Sequence, residues 1–174
     1  MGTAVFLVAG AIAFGGGCLA RSRYERDCLV TEEYRIVSEK IHGPGKTIVF
    51  LTDLHNKEFG DQNCRLLDAV RKVKPDAVLS GGDGMVAKKG NSDVEIPRKL
   101  LTELAKEFPV YCGNGNHECR MVWKSDIYGA AYENYQAALE NAGIRYLANG
   151  SADLDGEIRI YGLDLPKSAY LPRS

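Results

Sequence analysis

Three apolar, strand-like runs, each ending in a short polar piece of ligand-type side chains, constrain this chain more than any other feature. Thr47-Ile48-Val49-Phe50-Leu51 runs into Asp53-Leu54-His55, Ala77-Val78-Leu79 into Gly82-Asp83, and Val110-Tyr111-Cys112 into Gly115-Asn116-His117-Glu118. Thirty residues separate Asp53 from Asp83, and thirty-three separate Asp83 from Asn116. One strand–helix–strand unit takes roughly 30 residues, so the spacing predicts adjacent parallel strands whose carboxyl ends converge. Open α/β sheets place their active sites at those ends. Carboxylate, imidazole and amide are hard-to-borderline donors, suited to Mn, Fe or Zn and not to a thiolate site.

The intervening segments fit that order. Residues 63–73 carry Leu66, Leu67, Val70 and Val73 at helical spacing, and residues 94–108 carry Leu100, Leu101, Leu104 and Phe108 before Pro109. Residues 130–141 predict a third helix, with Gly143 as its C-cap. Residues 47–52 read as a buried central strand, residues 144–147 and 158–163 as further strands, and residues 34–40 as an edge strand. The class is α/β, with a parallel-dominated sheet and right-handed crossovers.

Residues 3–20 contain no charged side chain. At about 1.5 Å per residue they reach roughly 27 Å, near the thickness of a bilayer's hydrocarbon core. They predict a transmembrane anchor over residues 1–20, followed by a juxtamembrane segment and edge strand over residues 21–45 and a globular part over residues 46–174. Arg21, Arg23 and Arg26 follow the span and no Lys or Arg precedes it, so the positive-inside rule puts the globular part in the cytoplasm of a single-pass protein. Five cysteines without a framework spacing favour a reducing compartment. A formal charge of −1 makes no electrostatic case for nucleic acid as a partner.

In an extended backbone Asp53 and His55 share a face and can reach one ion, although Asp53 can also simply cap a turn. The glycines around Asp83 let backbone approach a ligand, or make an ordinary turn. Residues 113–118 read as a tight loop bearing an amide, an imidazole and a carboxylate. Arg120 is a candidate for a substrate phosphate or an exposed loop residue. His42 reads as a polar turn residue, Cys112 as core, and Cys119 as a bystander. Gly45-Lys46-Thr47 lacks the earlier glycine of a P-loop and precedes a strand, which excludes a nucleotide loop.

The series Asp53-Leu54-His55, Gly82-Asp83, Gly115-Asn116-His117-Glu118 resembles the calcineurin-like metallophosphoesterase family. The wording of residues 52–56 and 75–78 looks like its membrane-anchored bacterial branch. The resemblance covers residues 46–174. It implies the first half of a β-sheet sandwich flanked by helices, with two divalent ions (Mn, Fe or Zn). Asp53 and His55 would bind the first ion, Asp83 would bridge both, and Asn116 would bind the second. His117 would be the catalytic residue beside the phosphate, with Asn116 and His117 contacting substrate. The implied reaction is hydrolysis of a phosphomonoester or phosphodiester by a two-metal-activated hydroxide. An anchored enzyme would meet a lipid-linked or envelope phosphate.

Two departures stand against the family pattern. No histidine follows His117, where the family has a lone His and a Gly-His-x-His. The expectation is therefore a C-terminally truncated domain that is inactive alone. Gly84 stands where the family has an aliphatic residue. Two rival readings are a non-catalytic membrane protein that binds metal or phosphate weakly, and a metal-dependent nuclease of the same fold.

Overall fold

The computed structural model describes residues 2–90 and 92–170, with side chains described over 14–90 and 92–169. The chain divides after Tyr34 into two units. The first contains helix α1 (Gly2–Asp27), whose Arg21 Nε donates to Glu25 Oε1 one turn on, at 2.8 Å. α1 continues through part of the expected juxtamembrane segment. Phe14, Leu19 and Tyr24 are exposed. Among the described residues no helix is long and apolar enough to cross a membrane. The side chains of residues 2–13, most of the expected anchor, lie outside the described ones.

The second unit holds a four-stranded sheet: β1 (Ile48–Leu51), β2 (Ala77–Ser80), β3 (Val110–Cys112) and β4 (Arg145–Tyr146), paired in that order and all parallel. Three of the connections carry helices: α2 (Cys64–Val73), α3 (Glu95–Ala105), then α4 (Asn116–Trp123), α5 (Ser125–Tyr128) and α6 (Ala131–Asn141). α2, α3 and α6 bury Leu66, Leu67, Val70, Leu100, Leu101, Leu104, Tyr135 and Leu139, most of the positions their helical periodicity selects, while Val73 at the end of α2 is exposed and Phe108 lies past α3, half-buried. Gly143, at φ 84°, follows α6 as the left-handed cap.

Four expectations need correction. Residues 28–38 form no regular structure, and Tyr34, Ile36 and Val37 are exposed instead of pairing as an edge strand. Alternation over so short a polar run does not supply a partner. Among the described residues β1 is itself the edge of the sheet, paired with β2 alone, and Phe50 is 63% exposed. The strand expected over residues 158–163 is β6 (Arg159–Tyr161), which pairs antiparallel with β5 (Ser151–Asp153) in a separate two-stranded sheet. That hairpin brings Ala152, Leu154 and Ile160 against Ala77, Tyr111 and Leu147. Finally, the loop expected over residues 113–118 becomes helix at Asn116.

Candidate active site

The carboxyl ends of β1, β2 and β3 carry the three polar pieces, and main-chain hydrogen bonds join them. The Asp53, His55 and Asn56 N–H groups donate to the carbonyls of Gly82 (3.2 Å), Asp83 (3.0 Å) and Gly84 (2.8 Å). To make these bonds Asp53, His55 and Asn56 adopt φ of 56°, 48° and 58°, a left-handed conformation that Asp, Asn and His tolerate better than most residues. The extended geometry expected for Asp53 and His55 is therefore replaced by a left-handed turn. The turn still brings the two together, with His55 Nε2 3.6 Å from Asp53 Oδ1.

Gly82 and Gly115 let the second and third loops meet backbone to backbone. A Cβ on Gly82, at φ 86°, would lie 1.9 Å from Gly115 N, and one on Gly115 would lie 2.4 Å from Asp83 N. Gly84, the departure from the family pattern, also has a steric reason: a Cβ there would come 2.9 Å from Pro97 Cβ in α3.

Asp83 is buried, and its Oδ1 accepts from the His117 N–H at 2.7 Å. Asn116 faces its other oxygen. With the amide turned so that both of its atoms are satisfied, Nδ2 donates to Asp83 Oδ2 (2.8 Å) and Oδ1 accepts from the His117 N–H (3.3 Å). In the opposite orientation the amide oxygen would face only acceptors.

Glu118 joins the loops from below. Only 1% exposed, it accepts from the N–H groups of Asp83 (2.8 Å), Gly84 (3.2 Å) and Gly115 (3.0 Å). The last bond is the glutamate half of a capping box at the start of α4. Burial pushes its carboxyl above the usual range, opposed by the Asp83 and Gly84 N–H groups. Asn114 does similar work from the other side. Its amide bonds the Tyr132 hydroxyl (3.0 Å) and Asp164 Oδ2 (2.8 Å), and Tyr146 donates to its oxygen.

His117 extends from the first turn of α4. Its Nδ1 accepts the Ala87 N–H at 3.0 Å, and its ring lies 5.0 Å from that of His55, edge to face. Burial holds the imidazole below its ordinary range, Asp83 opposing and Arg120 and His55 adding to the effect. Arg120 Nη1 donates to the Ala87 carbonyl at 3.1 Å. Burial raises the thiols of Cys112 to about 12 and Cys119 to about 11, and both side chains are buried.

Asp53, His55, Asp83, Asn116 and His117 thus all gather where the spacing placed them. Sequence reasoning gave no role to Glu118, Asn114 or Ala87; a Gly-x-x-Glu capping pattern was the available signal for Glu118. Among the described residues no three His, Cys, Asp or Glu side chains form an ion site by themselves. The donors come as two pairs, Asp53–His55 and Asp83–Asn116, and their oxygen and imidazole chemistry fits a divalent ion such as Mn, Fe or Zn.

The family model described as calcineurin-like phosphoesterase matches residues 46–167, and the chain belongs to that family. No curated protein matches it.

Proposed function

We propose that this calcineurin-like phosphoesterase hydrolyses a phosphomonoester or phosphodiester with the help of two divalent ions. The observation that carries the reading is the meeting of Asp53–His55, Asp83–Asn116 and His117 at one end of the parallel sheet. Asp53 and His55 would hold one ion, Asp83 both, and Asn116 the second. Such ions, when bound, activate water and neutralise charge developing on the phosphoryl oxygens.

The chain's own groups then do the rest. The Ala87 N–H occupies His117 Nδ1, so the neutral ring carries its proton on Nε2. That proton can be donated to a phosphoryl or leaving oxygen. The three N–H bonds to Glu118 hold the backbone that carries Asp83. We further propose that the apolar N-terminal run anchors the protein in a membrane with its globular part on the cytoplasmic side, which favours a lipid-linked phosphate as substrate.

With manganese, a full-length protein that supplies the histidines of the family pattern is expected to hydrolyse bis-p-nitrophenyl phosphate, while residues 1–174 by themselves, with no histidine after His117, should hydrolyse little or none. Asp83→Asn should lower turnover by about a hundredfold or more; unchanged turnover would remove Asp83 from its bridging role. That no histidine follows His117 in these residues favours a second reading, metal or phosphate binding without turnover. Calorimetric manganese binding with no hydrolysis of any ester would establish that reading instead.

A further inference from the structure

We propose that Arg120 is a positioning residue for His117, acting through Ala87, and not a contact for substrate phosphate. The inference deepens the phosphoesterase reading and rests on it for its catalytic meaning. One residue, Ala87, is held from both sides by α4. Its N–H donates to His117 Nδ1 at 3.0 Å, and its carbonyl accepts from Arg120 Nη1 at 3.1 Å. His117 and Arg120 are three apart on the helix, hence on the same face.

Ala87 and Met85, two residues before it, have no exposed surface, so Ala87 is packed inside the domain. The imidazole has two neutral tautomers, and the bond at one nitrogen decides which is present. The Ala87 N–H selects the form with its proton on Nε2. Ala87 can select it only while it stays in place, and the guanidinium bond to its carbonyl is the polar contact on its other side. A charged donor makes the stronger kind of hydrogen bond. The same bond draws one arm of the guanidinium toward the Ala87 main chain and away from the role of a free phosphate fork.

The chain has three histidines, His42, His55 and His117, so nitrogen NMR of histidine-labelled protein, at a pH where imidazole is neutral, resolves the question. The His117 signals are assigned by their loss in His117→Asn. In the metal-free protein His117 is expected to show protonated Nε2 and acceptor-type Nδ1. Arg120→Met keeps the aliphatic stem and removes the donors; it should leave the melting transition cooperative and shift His117 to a mixture of tautomers. Arg120→Gln, which restores a donor, should return the single tautomer. If Arg120→Met does not fold, Arg120→Lys against Arg120→Gln tests the same bond, because both keep a donor and both should keep the tautomer.

An unchanged His117 pattern in folded Arg120→Met, or a mixture in both donor-retaining variants, overturns the proposal. With ester substrate, Arg120→Met should lower kcat roughly tenfold while KM stays within about twofold. A raised KM with an unmoved tautomer would overturn it in favour of a phosphate contact. The NMR result stands whether or not the protein turns over an ester, so failure of the phosphoesterase reading is distinguishable from failure of this one.

Discussion

The two ends of the same parallel sheet handle polar groups in opposite ways. At the amino ends, charges are matched by long side chains. Lys46 Nζ lies 3.5 Å from both Asp76 and Asp155, Arg159 holds both oxygens of Asp153, and Arg145 donates to the Asp153 carbonyl while stacking 5.5 Å over Tyr111. A cavity of about 330 Å³ lies among Lys46, Asp76, Tyr111, Arg145 and Asp155, yet its charges already have partners. At the carboxyl ends Asn116 donates to Asp83, the His117 N–H donates to the same carboxylate, and Asp53, His55, Asn56 and Asp83 all sit at positive φ. The first end is neutralised by ion pairs of long side chains, and the second is held by short hydrogen bonds to main chain and amide.

The largest expected break in this contrast comes from two glycines. Gly82→Ala places a methyl group where Gly115 N lies 1.9 Å away, at φ 86°. It should cost upwards of about 4 kcal/mol or prevent folding, as urea denaturation would show. Gly143→Ala, at φ 84° beside the amino-end cavity and with nothing within 4 Å, should cost only about 1 kcal/mol. Similar losses at the two positions would refute the backbone-contact account of the carboxyl end.

Glu118→Gln comes next. It turns an acceptor for three N–H groups into a side chain that presents a donor to one of them, with an expected loss of about 2–4 kcal/mol. The same denaturation series on Lys46→Met should find less than about 1 kcal/mol, since its two ion pairs are partly solvated. A Lys46 variant as costly as the Glu118 variant would mean that the amino end is no less tightly built.

The smallest effect is in pH. In the metal-free protein burial places the His117 midpoint below the ordinary 6.5. Between that midpoint and 6.5 the unfolded chain binds more protons, so stability rises with pH across the window and the contribution is lost as pH falls through it. Stability measured against pH should flatten there in His117→Asn; an unaltered slope would place the effect elsewhere.

The parts legible in the sequence were those with a strong period or a strong punctuation. α2, α3 and α6 follow from leucine spacing, and the parallel order follows from strand–helix alternation. α4 was hidden because its buried side chains are Glu118, Cys119 and Met121, a set that does not read as an apolar face until the three N–H bonds to Glu118 are seen. β5 is Ser151–Asp153, residues with little strand preference, paired only because β6 lies beside them. The site residues were legible as a set, since one-dimensional spacing fixes which strand ends converge. Their local geometry was not. The left-handed turn at Asp53 and His55 exists to satisfy carbonyls thirty residues away, and Arg120 is oriented by a main-chain carbonyl that no side-chain pattern announces.

The contact between Gly82 and Gly115 has one more consequence. With no side chain between the two loops, the gap between Asp83 and Asn116 is a main-chain thickness. Rotamer changes cannot widen it, and substitutions nearby can only break it. It acts as a fixed gauge between the second and third loops, set by main chain and not by side-chain choice.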